Sequence, residues 1–188
     1  MSLRPTGELL ARVMDALRAH HIDEFAFTGG VAVGVWAEPR QTKDIDLCGV
    51  LPASEVSRLL ALRDGLRAGP GEVPDLVRFR VGEWDVDLFV CKDAYDRACL
   101  DRSVPATIDG VDVRVVTPED LLVHKMIKLR TDRRRILQDV ADLRAVIATQ
   151  GGALDWDYLR RWLPRSEAAL LASVAGSDDE DLVKRLLS

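Results

Sequence analysis

Apolar residues recur along this chain in two rhythms, one of about 3.6 residues and one of two, and their alternation sets the expected order of elements. Leu9, Leu10, Val13, Met14 and Leu17 share one helical face, which predicts an opening amphipathic helix broken at His20-His21-Ile22-Asp23. Phe25-Ala26-Phe27 predicts a short buried strand cut off by Thr28-Gly29-Gly30, and Val31–Trp36 a short apolar helix that stops before Pro39. Asp44–Val50 alternates, with Ile45 and Leu47 on one face and Asp44, Asp46 and Cys48 on the other, as a half-buried strand does. A surface helix is expected over Glu55–Arg67, with Ser54 as its cap. Leu76–Val81 and Trp84–Val90 are β-rich runs joined by Gly82-Glu83, a hairpin signal, and a second hairpin is expected to turn at Asp109-Gly110 between Ala106–Ile108 and Val111–Val116. A short helix near Asp93–Leu100 lies between the two hairpins.

Thr117-Pro118-Glu119-Asp120 combines a capping threonine, proline at the first helical position and acid in the first turn, and so predicts a strong helix start. Two helices follow, about Glu119–Arg130 and Arg133–Ala148, then further helical segments at Trp156–Leu163 and Asp179–Leu187. Helices and hairpins in this order indicate an α+β fold with a mixed sheet of about four or five strands. The expected organisation is a main domain over residues 1–150 and a helical appendage over residues 151–188.

Composition narrows the class. The chain has 188 residues, 47% of them hydrophobic and 30% charged, which excludes overall disorder. Net charge is −5, so any contact with nucleic acid must be local, and the run of Lys125, Lys128, Arg130, Arg133, Arg134 and Arg135 is the place for it. Asp178-Asp179-Glu180-Asp181 carries the opposite sign. Three cysteines without a CxxC pair, no apolar leader and no stretch long enough to span a bilayer predict a cytoplasmic protein with reduced thiols and no membrane contact.

The chemistry concentrates between Thr28 and Leu47. A Gly29-Gly30 turn that ends a strand and opens a helix offers bare backbone N–H groups to a phosphate. Asp44 and Asp46, two apart on a strand, project from one face, where they repel unless a cation lies between them; carboxylates of this kind suit Mg²⁺ together with substrate phosphates. Trp84–Val90 adds Asp85 and Asp87 on the face opposite Val86 and Leu88, and either one completes a three-carboxylate cluster if this strand pairs beside Asp44–Leu47. The sequence contains no G-x-G-x-x-G, P-loop or G-x-S-x-G, and His20, His21 and His124 lack partners at zinc spacing.

Gly29-Gly30, Arg40-x-Thr42-x-Asp44-Ile45-Asp46 and Val86-Asp87-Leu88 resemble the DNA polymerase β-type nucleotidyltransferase superfamily. Pro118-Glu119-Asp120-Leu121-Leu122-x-x-Lys125 and Gln138-Asp139-Val140-Ala141-Asp142-Leu143 are similar to its AbiEii-like branch, many members of which are toxins of toxin–antitoxin pairs. The commoner superfamily turn is Gly-Ser, and here Gly30 takes the second place.

The resemblance implies a Mg²⁺-dependent transfer of a nucleoside monophosphate from an NTP to an acceptor hydroxyl, with RNA or tRNA as acceptor and a cognate antitoxin as partner. Asp44, Asp46 and Asp87 would bind metal and carry the chemistry. Gly29, Gly30, Arg40, Thr42, Lys43, Lys125 and Asp139 would serve the nucleotide. Lys125 shares a helical face with Leu121, Leu122 and Leu129, so its ammonium needs an anion; Asp139 lies at the edge of the Ile136, Val140, Leu143, Ile147 stripe, while Asp142 is expected to face outward. Two other readings fit the same residues. One is transfer to a small cationic acceptor of the aminoglycoside kind, and the other is a non-catalytic protein of this fold that binds a nucleotide or a partner.

Overall fold

The computed structural model describes residues 4–52, 54–55, 76–131 and 135–174. Most of the helix expected over Glu55–Arg67, Arg133 and Arg134 of the basic run, the Asp178–Asp181 run and the helix expected over Asp179–Leu187 lie outside the described residues. The chain divides into two compact units, Met1–Ala32 with Pro39–Val116, and Val33–Glu38 with Thr117–Ser188.

The first unit is built on a sheet. Its strands are β1 (Phe25–Phe27), β2 (Asp44–Gly49), β3 (Leu76–Val81), β4 (Trp84–Val90), β5 (Val104–Ile108) and β6 (Val111–Val115), in spatial order β3-β4-β2-β1-β6-β5. Among the described residues the sheet thus has six strands where four or five were expected. Both hairpins join one sheet, the first through the parallel β2–β4 pair and the second through the parallel contact of Phe27 with Val115. Gly82 has φ +63° in the first turn, and Asp109 and Gly110 have φ +48° and +79° in the second, the conformations that two-residue hairpin turns demand.

Helix α1 (Gly7–Arg18) is capped by Thr6 and contacts β3 and β6, burying Leu9, Leu10, Val13, Met14 and Leu17. The core here includes Phe27, Ile45, Leu47, Val86 and Leu88, all fully buried. Each side chain of this size stabilises the fold by about 1.5–3 kcal/mol on burial. Strands β2 and β4 give alternate residues to that core, which leaves their aspartates on the other face. Helix α2 (Gly29–Trp36) starts directly from the glycine turn after β1, and α3 (Ala94–Arg102) is opened by a reciprocal capping box between Asp93 and Asp96.

The second unit is helical. Helix α4 (Pro118–Thr131) packs against α5 (Ile136–Gln150) and α6 (Trp156–Trp162), and α6 against α7 (Arg165–Ser173). The first turn of α4 fastens α6, since Glu119 accepts from the Asp155 N–H at 3.0 Å and Asp120 from the Tyr158 hydroxyl at 2.7 Å. Helix α7 was not expected from the sequence. Its Ala168-x-x-Leu171-x-x-Val174 spacing is buried but spans only two turns after Pro164, too short a period to separate from a loop. Among the described residues no helix is long and apolar enough to cross a membrane.

Candidate active site

Register places the aspartates. In the parallel pair β2–β4, Asp44 stands beside Asp85 and Asp46 beside Asp87. In the antiparallel pair β3–β4, Arg80 stands beside Asp85 and Arg78 beside Asp87. In-register partners project from the same sheet face, on strands about 4.8 Å apart. The face therefore carries one charged row, Arg80-Asp85-Asp44, and a second, Arg78-Asp87-Asp46. Beyond them runs an apolar row, Leu76-Phe89-Cys48-Ala26. Asp87, 9% exposed, is the acid aligned with Asp46, whereas the side chain of Asp85 is 48% exposed and aligned with Asp44.

The glycine turn closes over Asp46. The Thr28 N–H donates to the Asp46 carbonyl at 2.9 Å, holding the end of β1 against β2. Gly29 has φ +53°, and a Cβ there would lie 1.9 Å from Asp46 Oδ2. Only glycine combines that backbone conformation with so close an approach. At Gly30 a Cβ would lie 2.8 Å from both Cβ and Oγ1 of Thr42, which is buried and donates Oγ1 to Asp44 Oδ1 at 2.9 Å. Gly29, Gly30, Thr42, Asp44 and Asp46 thus form one packed group. Arg40, by contrast, donates Nη1 to the Gln41 carbonyl at 2.7 Å, and Lys43 is exposed.

Arg78 grips Asp87 with both arms, Nε to Oδ1 at 2.6 Å and Nη2 to Oδ2 at 2.8 Å. That bond, then the charge of Asp87, with smaller contributions from Asp85 and Asp44, holds the guanidinium above its ordinary pKa. Arg80 donates Nε to Asp85 Oδ1 at 2.8 Å, and this too raises its pKa. Among the described residues no three histidine, cysteine or acidic side chains converge as a metal cage. Asp87 is turned to Arg78 on the neighbouring strand β3. In kind the donors suit Mg²⁺, being carboxylates on adjacent strands, and Asp46 Oδ2 packs against the Gly29 backbone in the place a Cβ would take.

In the second unit Lys125 is buried, as its place on the helix requires, and meets two carboxylates. Its Nζ donates to Asp139 Oδ1 at 2.8 Å and to Asp142 Oδ2 at 2.5 Å. Asp142 does not face outward as expected; it is 2% exposed and also accepts from Gln138 Nε2 at 3.1 Å. The buried face of α5 takes in Asp139, Val140, Asp142, Leu143, Val146 and Ile147, wider than its apolar stripe, because Lys125 supplies the charge that lets two acids enter.

Arg78 is the residue that the sequence reading missed, and its signal was present. A two-residue turn at Gly82-Glu83 pairs Val81 with Trp84, and counting outward sets Arg80 against Asp85 and Arg78 against Asp87.

A profile of the family described as "Nucleotidyl transferase AbiEii toxin, Type IV TA system" matches residues 12–185. Among solved structures, an antigenic nucleotidyltransferase-like protein from Paracoccidioides brasiliensis superposes with a TM-score of 0.55 at 18% identity, covering 99% of this chain and 92% of that one. The antibiotic-resistance factor ANT(2'')-Ia superposes with a TM-score of 0.52 at 13% identity, covering 89% of each chain. At these identities both likenesses concern the fold. No protein of curated function matches the chain.

Proposed function

The chain belongs to the AbiEii family of nucleotidyltransferase toxins, and from that premise we propose that it moves a nucleoside monophosphate from an NTP to a hydroxyl of RNA, tRNA foremost, in a Mg²⁺-dependent reaction restrained by a cognate antitoxin. The observation that carries the reading is the alignment of Asp46 with Asp87 directly beside the Gly29 turn. The proposed setting is the cytoplasm.

In this reading Asp44, Asp46 and Asp87 would hold Mg²⁺, which would supply positive charge to the triphosphate and acidify the acceptor hydroxyl. Gly29 and Gly30 present backbone N–H groups at the start of α2, where a helix N-terminus favours phosphate. Thr42 fixes the Asp44 carboxylate through its hydroxyl. Asp87 takes the proton from the acceptor. The acceptor oxygen then bonds to the α-phosphorus, the bond from that phosphorus to the bridging oxygen breaks, and pyrophosphate leaves. Positioning and electrostatics supply most of the rate, as phosphoryl transfer requires. Arg40 and Lys43 enter as proposed nucleotide contacts on the family resemblance, and comparing triphosphate with nucleoside affinity in single variants tests each; Lys125 and Asp139, which the resemblance also gives to the nucleotide, are bonded to each other within the second unit.

Incubation with each labelled NTP, Mg²⁺ and total RNA tests the reaction. Label is expected in RNA for the parent and none for Asp46→Asn. A chain with net charge −5 and an acidic sheet face also attracts cationic acceptors, which favours aminoglycosides as a second reading. Label in an added aminoglycoside, with none in RNA, would select it.

A further inference from the structure

Four aspartates share one sheet face with two arginines, and the arginines are not equivalent. Arg80 touches Asp85, and the two side chains are 68% and 48% exposed, so water already screens them. Arg78 holds Asp87, whose side chain is only 12% exposed, and it occupies both carboxylate oxygens in a fork that a lysine cannot reproduce. This is the carboxylate that the proposed function gives to the divalent cation, and the inference rests on that reading.

We propose that Arg78 is a built-in counter-ion that occupies the cation's place on Asp87 in the metal-free protein and yields it when a divalent cation binds, so that Arg78 sets the affinity for the metal. Three observations carry this. Asp87 lies beside Asp46 in register, on the face that also carries Asp44 and Asp85. Both Asp87 oxygens are bonded on their Arg78 side, so a cation must either displace those bonds or sit next to a guanidinium that repels it. The Arg78 side chain is 53% exposed on an edge strand, so it can leave Asp87 for water without unpacking the core. The pair also limits repulsion among four acids when no metal is present.

The test is Mn²⁺ binding to the full chain without nucleotide, read as free Mn²⁺ by electron paramagnetic resonance. Parent, Arg78→Gln, Arg78→Lys and Arg80→Gln are compared. Arg78→Gln is expected to bind Mn²⁺ about three- to tenfold more tightly, a gain moderated by the half-exposed guanidinium it removes. Arg78→Lys should fall between it and the parent, and Arg80→Gln should stay within about twofold of the parent, because its partner is already solvated. Equal or weaker binding by Arg78→Gln overturns the proposal, as does an equal gain in Arg80→Gln, or no Mn²⁺ uptake by any of the four at millimolar metal. NTP transfer by the parent, measured on the same preparation, separates the two failures. Transfer with unchanged Mn²⁺ affinities sinks the counter-ion alone, and absence of transfer to any acceptor sinks the functional reading.

Discussion

Position 29 bears the tightest constraint on the acidic face. Alanine there must accept φ +53° and a Cβ 1.9 Å from Asp46 Oδ2, so either the turn opens or the carboxylate swings away. Backbone strain of this kind costs about 1–3 kcal/mol. Displacing a reacting group by about 1 Å costs roughly a hundredfold in rate. Gly29→Ala is therefore expected to melt several degrees below the parent and to lose transfer about a hundredfold, by thermal denaturation and a labelled-NTP assay. Gly30→Ser restores the commoner superfamily turn, yet it too should lose activity. Its Cβ would crowd Thr42 Oγ1 at 2.8 Å, and Thr42 would release Asp44. Full activity in Gly30→Ser would show that the Thr42–Asp44 contact is dispensable. The departure at position 30 was legible in the sequence as a missing hydroxyl. What a one-dimensional reading lacked was that Thr42, twelve residues on, occupies the space that a serine would need.

Among the elements, the α4–α5 pair is organised around charge. Lys125 has 7% of its side chain exposed and faces two carboxylates each 2% exposed, so removing the ammonium leaves two buried acids against each other. Breaking a buried pair on one side costs about 3–5 kcal/mol. Lys125→Met is expected to be destabilised by that order in denaturant titration, and Lys125→Met combined with Asp139→Asn and Asp142→Asn should recover much of it. A Lys125→Met protein as stable as the parent would mean that water or rearrangement compensates the acids. The helical wheel was enough to bury Lys125 and to demand an anion for it. It misplaced Asp142, because a hydrophobicity pattern counts an acid as polar and cannot see its partner on another helix. The strands are more legible. Alternation and turn residues located all six segments, since period two and a Gly-containing turn are local signals. Their assembly into one sheet depends on parallel contacts between distant segments, β2 with β4 and β1 with β6, for which local pattern carries no register.

For the molecule as a whole, the question is how an acidic protein would hold an RNA. The basic run is weaker in three dimensions than in one. Lys125 is buried with Asp139 and Asp142, and Arg130 pairs with Glu167 at 3.3 Å. The other four basic residues of the run, Lys128, Arg133, Arg134 and Arg135, with Asp132 among them, set an upper bound of four phosphate contacts. Each phosphate neutralised on single-stranded RNA contributes about −0.7 to the slope of log affinity against log salt. If this run is the RNA contact, the slope for catalytically silent Asp46→Asn should be no steeper than about −3. Arg133→Ala combined with Arg134→Ala should make it shallower by about 1.4. Fluorescence anisotropy with labelled tRNA between 50 and roughly 300 mM salt gives both numbers. A slope near −6, untouched by the double substitution, would place the RNA on another surface. A slope near zero with retained transfer would assign recognition to contacts with bases or with the acceptor end, where charge plays little part.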